Sequence, residues 1–321
     1  ETMDVENTVS KLKLKLKALG KEIWKRKLAY LFIAPLIIGL LIFSYYPPVY
    51  GLVLSFFEKH SVGDTIFIGV KNYVDLFHDD VFLRSIPTMF YIMIPRLLIG
   101  IVVPLIMAEL IFGVKSQRMQ GVYRVLVLVP IVAPGVVGTL IWRNIFDPTN
   151  GLLTSVLRML GIMEQSQVVD WLGDPNWVIP SIIFMGFPWV GGTSVLIYMS
   201  GLMGISTEVI EASRLDGASV LYRIWKIDLP LLIGQIRYFL IFGLIGGFQD
   251  YSTQIVLTDG GPGYSTYVPG YYMYQQAFMH DNMGYASAIG SVMFLVIMVV
   301  SLFAFKFVNS KNIQGIDQET L

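Results

Sequence analysis

The chain has no cysteine and only three histidines in 321 residues. Disulfides and thiolate metal sites are therefore excluded. Charge is scarce as well: Asp, Glu, Lys and Arg make up 14% of the residues, against about 25% in soluble domains. The charges cancel, 23 basic against 23 acidic, so no basic excess points to nucleic acid as a partner. His60, His78 and His280 stand apart from one another, and no H-E-x-x-H or carboxylate–histidine cluster lies within an apolar stretch. An enzyme with a catalytic or metal site buried among the apolar stretches is not indicated. The nucleotide-binding signature G-x4-G-K-[ST] is missing too. Internal repeats and low-complexity segments are absent.

Apolar sequence is abundant. Hydrophobic residues make up 55% of the chain, and the mean hydropathy is +0.64. Six stretches reach the length of about 20 apolar residues that a spanning helix needs: 28–50, 85–112, 122–146, 177–203, 231–249 and 285–308. The first apolar run stays uncharged from Leu28 to Phe57. It is longer than the h-region of about 7–15 residues in a cleaved signal peptide, and it is read as a retained span. The fold class expected is all-α, a polytopic membrane bundle of six helices.

Lys and Arg set the expected orientation. Lys11, Lys13, Lys15, Lys17, Lys21, Lys25, Arg26 and Lys27 precede the first span, Lys115 and Arg118 follow the second, Arg124 lies just inside the third, and Lys311 lies in the C-terminal tail. The alternate connections are poorer in positive charge, and 250–284 has none. Both termini are thus expected in the cytoplasm. The division is a basic cytoplasmic tail at 1–27, a membrane domain at 28–308 with a cytoplasmic segment at 204–230, and a cytoplasmic tail at 309–321. Within the first tail, Leu12, Leu16, Leu19 and Ile23 share one helical face among lysines. That pattern suits a helix on anionic membrane lipid as well as a solvated tail. On the other side, 150–161 reads as a short helix, capped by Asn150 and ended by Gly161.

The segment EASRLDGASVLYRIWKIDLP, from Glu211 to Pro230, interrupts this apolar chain. Ser206 or Thr207 can cap a helix starting at Glu208, with Glu208 and Glu211 favoured in its first turn. Gly217 permits a sharp turn. In the next stretch Val220, Ile224 and Ile227 share one face while Arg223 and Lys226 point elsewhere. Pro230 is expected to end that stretch and start the next span. The result is a small rigid knob suited to docking on a soluble partner.

Here the sequence resembles a known family. Permeases of binding-protein-dependent ATP-binding-cassette (ABC) importers carry E-A-A, three residues, G, nine residues, I-x-L-P. This chain has Glu211, Ala212, Ser213, Gly217, Ile227, Leu229 and Pro230 at that spacing, with Ser213 in place of the second alanine. Asp216-Gly217-Ala218-Ser219 is similar to the turn of the sugar-importing branch, in particular the larger permease of maltose-type importers. Phe146 to Leu153 and Thr258 to Thr266, followed by Tyr271, Tyr274, Ala277 and Phe278, resemble that branch's outer loops. As a whole the chain is also similar to the membrane subunit of bacterial alginate importers.

The resemblance implies the type I ABC importer permease fold in the bacterial inner membrane. It implies that Glu211, Ala212, Ser213, Asp216, Gly217, Ile227, Leu229 and Pro230 couple to an ATPase. ATP and Mg belong on that separate chain, with no cofactor in this one. The partners implied are a second related permease, two ATPase subunits, an extracytoplasmic binding protein and an oligosaccharide. Gly260-Gly261-Pro262, a tight turn, lies in the outer loop where the binding protein would dock.

The solute path is read from polar residues near or within spans: Arg96, Arg143, Trp189, Gln249, Asp250 and Tyr251. Arg96 lies about eleven residues into the second span, near the midplane at about 1.5 Å per residue, where a charge is costly and usually faces the bundle interior. Two arginines would suit an acidic, alginate-like sugar. Neutral sugars are the alternative. Gly243 and Gly247 form a G-x-x-x-G, expected to pack helices closely. A competing class, an ion-coupled secondary transporter of a small polar solute, would usually carry inverted repeats and midplane acids. Glu109, near the end of the second span, is the only acid well inside an apolar stretch.

Overall fold

A computed structural model describes residues 25–308. Residues 1–24 of the basic tail, with the face formed by Leu12, Leu16, Leu19 and Ile23 that suits either a membrane-surface helix or a solvated tail, and the C-terminal tail lie outside the described residues. The chain divides at Leu54 into two compact units.

Among the described residues the first unit is one helix, α1, Lys27–Leu54. Pro47 and Pro48 cannot donate to the preceding turn. Directly before them the helix widens to a π-turn at Leu41–Tyr45, an adjustment that lets a helix in lipid accommodate missing donors.

The second unit opens with a small antiparallel hairpin, β1 (Phe57–Glu58) and β2 (Ile66–Phe67), in which Phe57 opposes Phe67. Helix α2 (Lys71–Phe77) follows. Then comes α3, Asp80–Phe112, the expected second span, which runs uninterrupted through Pro87, Pro95 and Pro104. At 33 residues it is about 50 Å long. Asp79 caps it, accepting from the amides of Val81 at 2.8 Å and Phe82 at 3.2 Å. The second carboxylate oxygen of Asp79 accepts from the hydroxyls of Tyr272 at 2.5 Å and Tyr285 at 2.7 Å. One side chain therefore fixes the start of α3 to two later segments.

The third expected span is bent by 86° between Gln117–Val132 and α5 (Gly135–Ile145). Its first part comprises α4 (Gln117–Leu128) and a 3-10 turn at Val129–Val132. Ala133 is extended before Pro134, as the residue before a proline prefers. Helix α6 is Leu152–Met159. The expected cap Asn150 is replaced by Gly151, which makes no side-chain hydrogen bond. A side chain at Gly151 would overlap the backbone of Asp147 and Ile145.

The expected span 177–203 is broken. Helix α7 (Val178–Phe184) and helix α8 (Gly192–Met203) are separated by Met185–Gly191. In that stretch Gly186 and Trp189 have φ of +95° and +56°, and Pro188 cannot donate. Helix α9 (Thr207–Leu215) leaves α8 at 74°. Helix α10 (Val220–Leu231) meets α11 (Ile233–Gln249) at 66°. Pro230 does not end α10: a π-turn at Ile224–Asp228 precedes it and the helix continues to Leu231. Helix α12 (Pro269–Tyr274) and helix α13 (Met283–Val308) complete the unit. Among the described residues, helices α1, α3 and α13 are each long and apolar enough to span, and the count reaches six only where each of the three bent pairs is taken as one span.

Helix α3 is the spine of the second unit. Toward its start, Met89, Ile92 and Met93 pack with Val178, Ile182, Phe248, Leu257 and Tyr271. Toward its end, Ala108 and Ile111 pack with Val195, Tyr198, Leu202 and Leu232. The glycine pair of α11 lies flat on α3. A Cβ at Gly243 would overlap Leu97, and one at Gly247 would overlap Met93, the close packing expected of that spacing.

Candidate functional site

The charged segment forms a capped helix–turn–helix. Ser206 Oγ accepts from the Val209 amide at 3.4 Å and caps α9. Ser213 is buried, and its hydroxyl donates to the Ile210 carbonyl at 2.7 Å. The serine at the alanine position is thus satisfied within its own turn. Gly217 has φ +73°. The Ala218 amide donates to Ser213 O at 2.9 Å and the Gly217 amide to Arg214 O at 3.1 Å. These are the hydrogen bonds of a Schellman ending. Ser219 Oγ then accepts from the Tyr222 amide at 3.2 Å and caps α10. Glu211, Ala212, Asp216, Gly217 and Pro230 are exposed, while Ile227 and Leu229 are half-buried. Leu215, Val220, Leu221, Tyr222 and Trp225 expose apolar surface around the turn.

Arg223, expected to point away from the apolar face, is turned inward. Its Nε donates to Asp228 Oδ2 at 2.9 Å, and its guanidinium stands 3.6 Å from Glu109 Oε2 at the end of α3. The same group lies 5.5 Å from the ring centre of Phe112. All three charged residues are buried: Asp228 is 0% exposed, Glu109 8% and Arg223 9%. The four-residue opening of α10 and the π-turn after it rotate Arg223 and Asp228 to one side, which a regular helical wheel does not anticipate. Sequence reasoning did not bring Arg223 and Asp228 to Glu109. The usable signal was Glu109, a carboxylate in an apolar stretch that needs a cation nearby. A cleft of about 1040 Å³ opens beside this cluster, with Lys115, Arg124 and Arg214 among its lining residues.

A second cleft, of about 510 Å³, lies midway along α3. Its polar residues are Arg96, Asp250, Gln254 and Ser194, set among Met, Leu, Ile, Phe and Gly. Arg96 donates to Asp250 Oδ2 at 2.8 Å. Thr253 donates to the same oxygen at 3.2 Å and Ser252 to the other at 3.1 Å. Arg96 therefore already has its counter-ion. Gln249 and Tyr251 do not join Asp250. They line a separate cleft of about 560 Å³ beside α13. Arg143, near the end of α5, is exposed and lines neither of these clefts. The two arginines of the sequence reading are not brought together. Trp189 donates from Nε1 to the Ile183 carbonyl at 3.2 Å and packs edge-on against Phe184 and Phe187. It also borders a small cleft of about 300 Å³ that Arg96 shares.

The loop before α12 is tied to its own helix. Gly260 is buried at φ +78°, and a side chain there would overlap the rings of Tyr267 and Tyr271. Thr266 is buried and its hydroxyl donates to Gly261 O at 3.0 Å. Tyr271 donates to Asp259 Oδ1 at 2.7 Å. Burial pushes the Tyr271 phenol up to about 12, helped by that hydrogen bond to Asp259. Gly261 and Pro262 are half-buried at the turn.

A predominantly helical chain, apolar enough to cross a membrane, with an exposed charged knob and a polar cleft along its longest described helix, has the architecture of a transport permease. The chain belongs to the family of binding-protein-dependent transport system inner membrane components, whose profile matches residues 82–314. Among its relatives is the probable ABC transporter permease YurN of Bacillus subtilis, 31% identical over 279 residues, covering 87% of this chain and 94% of that one. The arabinooligosaccharides transport system permease AraP of the same organism is 29% identical over 294 residues, covering 91% of each. Among solved structures, a bacterial ABC transporter involved in the import of the acidic polysaccharide alginate contains a similar chain. The TM-score is 0.80 at 26% identity, covering 92% of this chain and 99% of that one. A bacterial alginate ABC transporter in complex with an alginate pentasaccharide-bound periplasmic protein matches at a TM-score of 0.79 and 26% identity, covering 90% of this chain and 96% of that one. The type I ABC importer permease fold follows, and the secondary-transporter class is not favoured.

Proposed function

We propose that this chain forms one half of the translocation path of an ATP-driven oligosaccharide importer in the bacterial inner membrane, with both termini in the cytoplasm. The observation that carries the reading is the α9–α10 knob, an exposed, doubly capped turn ringed by apolar residues. A surface of that kind on an otherwise charge-poor chain is suited to a soluble partner. Glu211 through Gly217 dock on one of two ATPase subunits, which carry ATP and Mg, and Ile227, Leu229 and Pro230 hold the second helix of the knob. A second related permease completes the path. ATP binding closes the ATPase pair, and the movement of the knobs switches the path between its two sides.

Arg96, Asp250 and Trp189 form this chain's share of the solute path, with Arg143, Gln249 and Tyr251 at its margins. The loop at Gly260, Gly261 and Pro262 receives the extracytoplasmic binding protein. Relatives named for arabinooligosaccharides and for alginate support an oligosaccharide as the solute. The test is a mild-detergent purification of the tagged chain from its native host, followed by uptake assays in vesicles. Co-purification of an ABC ATPase and a second permease, with ATP-dependent uptake of a neutral or uronic-acid oligosaccharide, is the expected result. A chain that purifies alone and carries solute without ATP would overturn it.

A further inference from the structure

Glu208, Glu211, Arg214, Asp216 and Lys226 of the knob are exposed, whereas Arg223 and Asp228 are buried together with Glu109 of α3. Burying three charges is a poor way to hold two helices together. Desolvation costs several kcal/mol per ion, and apolar replacements of similar volume often serve stability as well or better. The geometry is also uneven. Arg223 is hydrogen-bonded to Asp228 at 2.9 Å but only faces Glu109 at 3.6 Å. Neither Glu109 oxygen has a hydrogen-bond partner. One contact is therefore fixed within the knob, and the other spans the joint between the knob and α3.

Such a joint differs mechanically from apolar packing. Dispersion contacts resist compression, but a gap of 0.5–1 Å forfeits about a quarter to a half of their attraction. A charge pair away from water falls only as the inverse of distance. It stays engaged over displacements of an ångström and carries a pull as well as a push. We propose that Arg223, locked to Asp228, grips Glu109 and thereby transmits movement of the knob to α3. Arg96 lies thirteen residues up the same helix, about 20 Å away, so the grip connects the knob to the solute cleft through one continuous helix. This rests on the reading of α9–α10 as the ATPase-docking knob. Arg223, Asp228 and Glu109 are positioning residues; they touch neither nucleotide nor solute.

The test uses the complete importer reconstituted in vesicles, with uptake per ATP hydrolysed as the readout and co-purification of the ATPase as the control for assembly. The triple variant E109Q/R223M/D228N removes all three charges while keeping their volumes. It is expected to assemble and to lose at least tenfold in uptake per ATP. E109Q alone should show the same loss, and R223K, which keeps the charge, should retain most of the wild-type value. Wild-type uptake per ATP in the assembled triple variant would overturn the proposal and identify the cluster as a plain anchor. If the triple variant fails to assemble, E109Q decides in the same way: unchanged uptake per ATP overturns the grip. A wild-type chain that captures no ATPase would instead overturn the importer reading.

Discussion

Replacing Gly217 separates what the chain needs for its own fold from what it offers a partner. Gly217 sits at φ +73°, and a Cβ there would meet nothing within 4 Å. Alanine therefore bears only the backbone cost of the left-handed region, about 1–2 kcal/mol, which reduces the turn conformer at most about 5–30-fold. Asparagine tolerates that region far better than most residues. Gly217→Asn should leave the turn and the Ala218–Ser213 hydrogen bond in place while adding a side chain to open space. Two readouts on the purified chain distinguish the roles: thermal unfolding, and capture of the ATPase from native-host membranes. For Gly217→Ala, destabilisation of no more than about 2 kcal/mol is expected, with capture weakened by at most the same 5–30-fold. For Gly217→Asn, unfolding should be unchanged and capture lost, because the added side chain occupies the contact. Normal capture by Gly217→Asn would refute the turn as a contact surface. Marked destabilisation of that variant would refute the claim that its surroundings within the chain are open.

Asp79→Ala removes a helix cap and the acceptor of two tyrosine hydroxyls, so it should destabilise the chain by about 2–4 kcal/mol, measured by thermal unfolding in detergent. Burial pushes the Asp79 carboxyl up, but hydrogen bonds from Tyr272, Tyr285 and the amides of Phe82 and Val81 outweigh it and hold the value below the usual range. A lowered folded-state value means that this stabilisation is present above the ordinary carboxylate range and fades as pH falls through the lowered value. The gap between wild type and Asp79→Ala should narrow accordingly in acid. Gly247→Ala should cost about 1–3 kcal/mol through overlap with Met93; adding Met93→Ala should recover part of it, and no recovery would place the strain elsewhere. Gly260→Ala meets both a positive φ and two tyrosine rings, so protease cleavage within 258–266 should accelerate while cleavage elsewhere is unchanged.

Much of the knob was legible because its signals are local. Ser206 and Gly217 each act on backbone groups within a few residues, and the structure uses both; Ser219, the cap at the start of α10, is absent from the sequence reading. Helices α1, α3 and α13 were legible by length, since lipid demands a long apolar helix. What was hidden depends on rotation about helix axes. Arg223 looked outward on a regular wheel, but α10 is regular for only one turn before it widens. Gln249, Asp250 and Tyr251 are adjacent in sequence, yet the helix ends at Gln249, and neighbouring residues line different clefts. The break in the fourth span was masked by composition. Gly186 and Pro188 marked it, but the apolar residues around them read as continuous helix.

That break bears on how the path is mapped by experiment. Non-helical backbone at membrane depth persists only where protein or water meets its peptide groups. The stretch Met185–Gly191 borders the cleft that Trp189 and Arg96 share. A wall of this kind presents peptide dipoles to the cleft, and substituting side chains leaves peptide dipoles in place. A conventional alanine scan of the fourth span is therefore blind to part of the surface it is meant to survey. Replacing single amides with esters between Gly186 and Val190 would make that part visible.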